Sequence, residues 1–445
     1  MGKSYFFVGI GGSGMMPLAE IVAAQGAAVA GSDRSLDQGR LGAKFEGLAT
    51  RGIALHPQDG SGLVSPDQIV VASAAIEPTV PDIVRATALG CVRLTRAELL
   101  AELFNAAPVR IAVGGTSGKS TVTGMIGWIL DQAGRDPTIM NGAIMKNYGT
   151  GARVGGGDVF VSEVDESDGS IALYRPTVAV LNNVAIDHKS MDELRTLFGG
   201  FLAAADHAVV NADNAEALAL ADGALTFGIV SPADLRVGEL VKRPDGVDFV
   251  LNATPITLAV PGRHNVSNAL AAIGAATAVG IPLADAAAAL ATFTGLKRRM
   301  DVVGTARDIT VIDDFGHNPD KIAATLSTLH AFPGRLLVFF QPHGYGPLKQ
   351  MGRELAYAFR ANLAEEDRLI ISDPAYFGGT VDRTIGSESL VNAIGEQAEH
   401  IASREACGER LLALARPGDR IVVMGARDDT LSDFAAGLLA SLASA

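Results

Sequence analysis

Short apolar runs recur along the chain, and most of them end at glycine or polar residues. Near the amino terminus the pattern predicts a strand over residues 4–10, a helix over 16–25 and a strand over 27–30. Similar runs predict strands at 68–76, 111–115, 158–164, 177–183 and 207–212, and within ITVIDDF, RLLVFFQ, RLIISD and RIVVMGA. Helical patterns lie between them. Strands that alternate with helices in this way indicate parallel sheets covered by helices.

Two breaks in this pattern divide the chain into three predicted domains. Residues 105–110 look like a linker, and a second boundary falls near 294–304. We therefore expect an α/β protein with an N-terminal Rossmann-like domain over residues 1–106. A central P-loop ATPase-like domain with a parallel sheet would follow over 107–297, and a C-terminal Rossmann-like α/β domain over 298–445.

Composition and charge narrow the classes of partner. The formal net charge is -13 and aromatic residues make up 5% of the chain, and both features disfavour a nucleic-acid partner. The sequence has no run of about 18 apolar residues, so we expect no membrane span. Cys91 and Cys407 are far apart, and the N-terminal apolar run is too short for a signal peptide. We expect a cytoplasmic protein that acts on small molecules as a monomer or weak homodimer.

The first glycine-rich turn joins the predicted strand 4–10 to its helix. Gly9, Gly11 and Gly14 have the spacing of a dinucleotide-binding turn, and Asp33 follows the second strand. Backbone N–H groups and the helix dipole at such a turn can hold a diphosphate. NAD, FAD and a UDP-sugar all present that group, so the pattern leaves the nucleotide open. A tight turn without a ligand is the alternative.

The second glycine-rich turn, GGTSGKST at residues 114–121, also lies between a predicted strand and a helix. Its spacing is shorter than that of the familiar phosphate loop. Glycines nevertheless allow phosphate oxygens to approach closely, and consecutive N–H groups can point inward. We expect Lys119 on the β- and γ-phosphates of ATP and the hydroxyl of Ser120 on Mg²⁺. The alternative is an ordinary strand–helix turn with a solvated lysine.

Polar clusters follow several other predicted strands, at the edge where ligands collect in parallel sheets. Glu163, in SEVDESDGS, is a carboxylate that suits Mg²⁺, and Mn²⁺ would suit the same oxygens. His188, in NNVAIDH, is less typical of a Mg²⁺ site. IDDFGHNPD brings Asp314 and His317 to the end of another strand. A basic triplet at 297–299 has the composition of a solvated face, and the acidic loop alone is equally consistent with capping.

Taken in order, these motifs resemble those of the Mur ligases, ATP-dependent enzymes that build the peptide stem of the bacterial cell wall. The resemblance covers nearly the whole chain and rests on GTSGKST, SEVDESD, NNVAIDH, PGRHNVSN, the arginine pair at 298–299 and DDFGH. GIGGSGM, VVASAAI, RAELLAEL and FFQPHGY are similar to the branch that joins L-alanine to UDP-N-acetylmuramate through an acyl phosphate. The resemblance implies such an amide ligase of peptidoglycan synthesis, whose successive domains bind the UDP-sugar, ATP and the amine.

The resemblance also implies roles for individual residues. The catalytic residues would be Lys119, Glu163, His188 and Arg299, with Ser120, Glu163 and His188 at the metal. The ATP site would comprise Gly115, Thr116, Ser117, Gly118, Lys119, Ser120, Thr121, His264, Asn265, Asn268, Arg299, Asp314 and His317. The UDP-sugar site would comprise Gly9, Gly11, Gly12, Ser13, Gly14, Ser32, Asp33, Ser73 and Ala74, and the amine site His343 and Tyr345.

Some features leave other functions open. Part of the sequence is similar to the murein-recycling branch, which attaches the tripeptide L-Ala-γ-D-Glu-meso-diaminopimelate to the same UDP-sugar acid. The alanine-adding branch reads roughly QPHRYTR and DVYAAGE where this chain has QPHGYGP and DPAYFGGT, in the domain expected to bind the amine. A Mur-like ligase with another amine acceptor, an NAD-dependent oxidoreductase and a non-catalytic nucleotide-binding protein are the remaining alternatives.

Overall fold

Helix-covered β-sheets form the part of the chain that the computed structural model describes. This part is residues 2–40, 42–73, 76–186, 189–375, 383–426, 428 and 430–444, and it contains three sheets. By backbone proximity the chain divides into two units. The first unit is residues 1–240, 249–258 and 266–294, and the second is 241–248, 259–265 and 295–445.

The first sheet lies in the amino-terminal part of the first unit. Its elements are β1 (Ser4–Val8), α1 (Met15–Ala24), β2 (Ala28–Ser32), α2 (Arg34–Asp37), α3 (Gly42–Thr50), β3 (Ala54–His56), β4 (Gln68–Ala72), α4 (Pro81–Leu89), β5 (Arg93–Thr95) and α5 (Arg96–Asn105). The strands are parallel in the order β3-β2-β1-β4-β5. Strands β2 and β3 are added on one side of β1, and β4 and β5 on the other, so the strand order reverses beside β1. Open α/β sheets bind ligands at such a position.

The second sheet has ten strands. Its elements are β6 (Val109–Gly114), α6 (Lys119–Gln132), β7 (Thr138–Met145), β8 (Thr150–Arg153), β9 (Val159–Glu163), a 3₁₀ helix (Ser170–Leu173), β10 (Val178–Leu181), α7 (Met191–Ala203), β11 (His207–Asn211), α8 (Ala215–Leu218), β12 (Leu225–Gly228), β13 (Leu235–Arg243), β14 (Gly246–Leu251), β15 (Thr254–Leu258), α9 (Arg263–Ala278) and α10 (Leu283–Leu290). The order is β15-β14-β13-β12-β11-β10-β6-β9-β7-β8. Because β6 pairs in parallel with both β9 and β10, the carboxyl ends of these three strands share one edge.

The third sheet belongs to the second unit. Its elements are β16 (Asp301–Ala306), β17 (Ile309–Asp314), α11 (Pro319–Leu329), β18 (Leu336–Gln341), α12 (Tyr345–Asn362), β19 (Arg368–Ile371), α13 (Glu388–Ile394), β20 (Ala398–His400), α14 (Arg404–Leu414), β21 (Arg420–Gly425) and α15 (Leu431–Ser444). The order is β16-β17-β21-β18-β19-β20, with β16 antiparallel to β17 and the other pairs parallel. No helix of the described residues is long and apolar enough to cross a membrane.

The α/β fold predicted from the sequence is confirmed, and every predicted strand is present with shifted ends. The interpretation of 105–110 as a linker is wrong at both ends. Asn105 is the last residue of α5, and Val109 and Arg110 begin β6 and pair with Val159 and Phe160 of β9. The pattern also missed ten strands of the described residues, which are β3, β5, β7, β8, β12–β16 and β20. Strand β13 shows why: most of its residues are exposed or half-buried, so it lacks the apolar run of a central strand.

Helix α5 packs the first sheet's region onto the second. Phe104 is fully buried, and its ring lies 5.7 Å from that of Phe160 and 5.1 Å from that of Tyr174. Edge-to-face aromatic pairs of this kind contribute about 0.5–1.5 kcal/mol beyond the burial of area. One apolar core therefore extends through both regions of the first unit.

Candidate active site

The phosphate-loop candidate lies where β6 ends and α6 begins, at the edge shared with β9 and β10. Gly118 precedes the helix with φ of +82°, in the left-handed region that favours glycine. A Cβ atom at this position would lie 2.3 Å from Nδ2 of Asn182 and 2.6 Å from Oδ1 of Asn268. The loop therefore passes so close to two asparagines that a larger residue would displace them.

Two adjacent asparagines after β10 hold the loop in place. Oδ1 of Asn183 accepts hydrogen bonds from the hydroxyl of Thr116 and the N–H of Ser117, both at 2.8 Å. The side-chain amides of Asn182 and Asn183 both donate to the Ser117 carbonyl, at 2.9 and 3.0 Å. Asn182 also donates to Asn268 at 3.0 Å. The frame of the loop is thus made of neutral amides.

Lys119 is the first residue of α6 and points back over the loop. Its Nζ donates to the Gly115 carbonyl and to the Glu166 carboxylate, each at 2.8 Å. The side chain of Lys119 is 20% exposed and that of Glu166 is 7% exposed, so the pair is largely removed from solvent. A buried charge of this kind has to be paired, and phosphate oxygens are equivalent partners for the ammonium group.

Ser120 and Glu163 meet at the carboxyl end of β9. The Ser120 hydroxyl donates to the Glu163 carboxylate at 2.7 Å. The other Glu163 oxygen lies against Gly142, where a Cβ atom would be only 2.0 Å from it. A hydroxyl and a carboxylate are ligands that Mg²⁺ accepts, so these residues fit that ion. His188, the third predicted ligand, lies outside the described residues, and the remainder contains no cluster of three or more metal-ligating His, Cys, Asp or Glu side chains.

The other predicted ATP residues are distributed along α6 and α9 and in the second unit. Thr121 follows Ser120 in α6, and Asn268 is buried in α9 beside the loop. At the start of α9, Asn265 donates to the Pro261 carbonyl at 2.7 Å, and the exposed His264 lies against Gly262. The second unit holds the remaining three, Arg299, Asp314 and His317.

Asp314 ends β17, and its buried carboxylate is engaged within the second unit. One oxygen accepts from the N–H of Gly316 at 2.8 Å and the hydroxyl of Thr325 at 2.9 Å, and the other accepts from the N–H of Met300 at 2.8 Å. The assignment of Asp314 to the ribose stays a prediction. Its contacts give it a second task, because it fixes the turn that precedes β16.

His317 brings the predicted ATP and amine residues of the second unit together. Its ring centre lies 4.9 Å from that of His343 and 5.3 Å from that of Phe315. Its Nδ1 lies 2.8 Å from the Phe315 carbonyl. Burial lowers the pKa of His317 to about 3, so the ring is neutral near pH 7. Tyr345 begins α12, two residues after His343.

The first glycine-rich turn is framed by one carboxylate and by backbone carbonyls. The N–H groups of Gly9 and Ile10 donate to the Ser32 carbonyl, at 2.8 and 3.0 Å, and that of Gly11 donates to the Asp33 carboxylate at 2.8 Å. The N–H of Gly12 donates to the Gly9 carbonyl at 3.1 Å. A diphosphate held in the manner of a dinucleotide turn would have to displace these bonds. Ser13 is exposed, Gly14 precedes α1, Ser73 follows β4, and Ala74 lies outside the described residues.

Three residues that contact the phosphate-loop candidate were not given a role on the basis of the sequence. Glu166 is the partner of Lys119, and Asn182 and Asn183 hold the loop. A signal for the asparagines existed, since the NN pair stands directly after a predicted strand. No signal singled out Glu166, because SEVDESDGS contains three other acidic residues that could equally have been the partner of Lys119.

Comparison with known proteins yields one family. The model described as "Mur ligase family, catalytic domain" matches residues 4–107, the Mur ligase middle domain matches 113–276, and the Mur ligase glutamate ligase domain matches 298–427. The chain is 36% identical to the UDP-N-acetylmuramate–L-alanine ligase of Geotalea uraniireducens, over 94% of each chain. It is 35% identical to the ligase of that name from Streptomyces coelicolor, over 95% of each chain.

Solved structures share the fold. The UDP-N-acetylmuramate–alanine ligase of Thermotoga maritima superposes with a TM-score of 0.80 over 98% of each chain, at 24% identity. A murein peptide ligase of Psychrobacter arcticus superposes with a TM-score of 0.70 over 100% of this chain and 99% of that one, also at 24% identity. At this identity the likeness concerns the fold and does not separate the two activities.

Proposed function

Because the chain belongs to the Mur ligase family, we propose that it joins L-alanine to UDP-N-acetylmuramate in an ATP-dependent reaction of peptidoglycan synthesis. The observation that carries the proposal is the edge of the second sheet where Lys119, Ser120 and Glu163 meet. The choice of substrates is supported by the relatives named UDP-N-acetylmuramate–L-alanine ligase, which match this chain over 94–95% of its length. The similarity to relatives supports L-alanine over the tripeptide of murein recycling.

In the proposed reaction, a carboxylate oxygen of UDP-N-acetylmuramate attacks the γ-phosphorus of ATP. The bond to ADP breaks and an acyl phosphate forms. The amine of L-alanine, after losing a proton, attacks the acyl carbon, and phosphate leaves as the amide forms. Phosphoryl transfer of this kind requires charge neutralisation and alignment. Lys119 would neutralise charge on the phosphates, and the family resemblance assigns Arg299 to the γ-phosphate.

We propose that Ser120 and Glu163 hold a divalent cation, normally Mg²⁺, with Mn²⁺ as a substitute. Their oxygens are ligands that both ions accept. Such an ion would offset the negative charge that accumulates on the β- and γ-phosphates. The assignment of His188 to the same ion also stays a prediction.

The amine end of the proposed site carries the main departures from the alanine-adding branch. His343 and Tyr345 remain the proposed contacts of the amine. Gly344, between them, has φ of +140°, which glycine adopts freely and an arginine does not. The backbone course of this segment therefore accounts for the glycine where that branch carries a basic residue. The DPAYFGGT segment is residues 373–380, and its last five residues, 376–380, lie outside the described residues.

The remaining predictions stand as part of this proposal. They are the domain boundaries at 106/107 and 297/298, the UDP-sugar site at the first glycine-rich turn, a cytoplasmic location and a monomeric or weakly dimeric state. Asp33 favours a UDP-sugar over NAD, because its two oxygens accept from the N–H groups of Gly11 and Ser35 and are not presented to the ribose hydroxyls that a dinucleotide site binds.

The proposal is tested by phosphate release from ATP in the presence of Mg²⁺ and UDP-N-acetylmuramate. L-Alanine, L-serine, glycine and the tripeptide are compared as acceptors, with Lys119→Ala as the inactive control. We expect release that depends on L-alanine and on the sugar acid. Dependence on the tripeptide alone would assign the protein to murein recycling, and no release with any acceptor would contradict both assignments.

A further inference from the structure

Arg298 is a buried arginine of the second unit to which neither the family resemblance nor the proposed function gives a role. Its guanidinium donates to the Gly425 carbonyl at 2.7 Å and the Asp428 carbonyl at 2.9 Å. Its Nε lies 3.4 Å from the Asp313 carboxylate. Arginine keeps its charge, so burial is tolerated only where its donors are satisfied in this way. Arg298 thereby ties the turn before β16 to the ends of β17 and β21.

The backbone around Arg298 has an uncommon conformation. The φ angle is +60° at Arg298 and +50° at Met300, and neither residue is glycine. Left-handed conformations cost free energy for such residues and persist where surrounding bonds enforce them. The N–H of Met300 donates to Asp314 at 2.8 Å, and the carbonyl of Arg298 accepts from the N–H of Phe315 at 2.8 Å. Arg299 is thus the middle residue of a turn that is fixed at both ends.

Phe315 connects the two arginine side chains. The guanidinium carbons of Arg298 and Arg299 lie 5.1 and 4.7 Å from the centre of its ring. Both distances are within the range of a cation–π contact. Arg298 therefore helps to hold the ring against which Arg299 rests, as well as the backbone from which Arg299 projects.

We propose that Arg298 is a positioning residue that fixes the orientation of Arg299 for phosphoryl transfer. The inference rests on the proposed function, because it takes Arg299 as the residue that contacts the γ-phosphate. A group that stabilises charge in a transition state is effective only when it is held in place beforehand. In this proposal Arg298 keeps Arg299 in place through its own contacts with Gly425, Asp428 and Phe315, and does not itself contact substrate.

A double-mutant cycle tests this inference. If Arg298 acts through Arg299, Arg298→Lys should lower kcat about tenfold when Arg299 is present and less than about twofold in an Arg299→Ala background. Lysine keeps a charge beside Asp313 but lacks the fork of donors that reaches two carbonyls. A residue that only supports the fold would lower kcat by the same factor in both backgrounds.

Arg420→Lys is the matched control. Arg420 begins β21, and its guanidinium donates to the carbonyls of Leu329, Phe332 and Gly334. The change therefore removes a comparable fork of donors at the start of β21, the strand whose other end Arg298 contacts. We expect both lysine variants to lower the melting temperature and only Arg298→Lys to lower kcat. Equal effects of the two variants on kcat, or equal effects of Arg298→Lys in both backgrounds, would overturn the inference.

The same proteins separate failure of this inference from failure of the proposed function. Absence of L-alanine-dependent phosphate release by the unmodified protein contradicts the function. The cycle is then read in the Kd for the Mg²⁺ complex of β,γ-imido-ATP. Non-additive losses of affinity would support the positioning role there as well, and additive losses would overturn it.

Discussion

The two glycine-rich turns of the first unit are similar in sequence and differ in what frames them. Each follows a buried parallel strand, β1 or β6, and each leads into a helix. In the first turn the backbone N–H groups are engaged by the Ser32 carbonyl and the Asp33 carboxylate. In the second turn the side-chain amides of Asn182 and Asn183 hold the loop.

The difference indicates where a polyphosphate fits. Neutral asparagines add no negative charge beside the second turn, and its carboxylates, Glu163 and Glu166, contact Ser120 and Lys119. Those two residues are the ones expected to contact Mg²⁺ and phosphate, so ligand binding exchanges one charged partner for another. The first turn already has a carboxylate on its amides, which opposes a second anion at the same place.

The largest expected effect in this comparison comes from Lys119→Ala. Removing the ammonium group should lower the rate of phosphate release about 10²–10³-fold, because the charge it neutralises develops on the phosphates. Ser117→Ala in the same loop is the control. Ser117 contributes its backbone N–H and carbonyl to the asparagine frame, so its variant should keep activity within about twofold. Similar losses in both variants would indicate that the loop acts through its packing alone.

The sequence predicted the second turn more completely than its frame. Lys119, Ser120 and Glu163 were expected together because strands that pair in parallel bring their carboxyl ends to one edge. Asn183 was not assigned, because its contact with Ser117 depends on the register of β10 against β6. The NN pair after a predicted strand indicates residues at the edge of the sheet, but the register that brings Asn183 to Ser117 is not recorded in the local sequence.

Burial of charge was the harder property to predict in the second unit. The basic triplet at 297–299 has the composition of a solvated face, yet Arg298 is 8% exposed. Two of its partners, the carbonyls of Gly425 and Asp428, are more than a hundred residues away in sequence. A contact between residues so far apart in sequence depends on the order of the strands in the sheet. An apolar pattern predicts the strands but does not specify that order.

Gly118→Ala and Gly9→Ala compare the two turns directly. Both glycines have positive φ, but a Cβ atom at Gly118 would overlap Asn182 and Asn268, whereas at Gly9 the nearest atom is Cδ1 of Ile76 at 3.6 Å. Gly118→Ala should therefore lower the free energy of unfolding by about 2–4 kcal/mol, against about 1 kcal/mol for Gly9→Ala. Urea titration measures both. We also expect only Gly118→Ala to raise the KM for ATP, and a reversed order would contradict the role given to the asparagine frame.

Asp33→Ala removes the carboxylate from the first turn. Its two oxygens accept from the N–H of Gly11 at 2.8 Å and, as the N-cap of α2, from that of Ser35 at 2.7 Å. Loss of such a cap costs about 1 kcal/mol. We expect the Kd for UDP-N-acetylmuramate, measured by calorimetry, to rise, because the turn loses the bonds that fix its conformation and this loss outweighs the removal of a like charge. The Kd for the ATP analogue should stay unchanged. Asp37→Ala removes the same charge four residues further on, in α2. Loss of a negative charge alone would tighten the binding of an anionic ligand, so weaker sugar binding in both variants would assign the effect to α2 and not to the turn.

The smallest expected effect concerns the carboxylate beneath the first turn. Asp82 is buried and accepts from the Ser32 hydroxyl at 2.7 Å and the Gly60 N–H at 2.9 Å. Burial raises the pKa of Asp82 above its ordinary value, and the two hydrogen bonds oppose the rise. A raised folded-state pKa contributes stability that is fully present below the unfolded-state pKa and is lost as pH rises through the folded-state value. The asparagine frame of the second turn has no such titration.

Asp82→Asn should therefore flatten the fall in the free energy of unfolding as pH rises above the ordinary aspartate pKa of about 4, by less than about 1 kcal/mol. Asp59→Asn is the control of opposite sign. Hydrogen bonds from Ser61 hold the pKa of Asp59 below its ordinary value, so Asp59 contributes stability that is lost as pH falls. Urea titrations at several pH values measure both variants. If the two substitutions change the pH dependence of the free energy of unfolding in the same direction, burial of Asp82 does not account for that dependence.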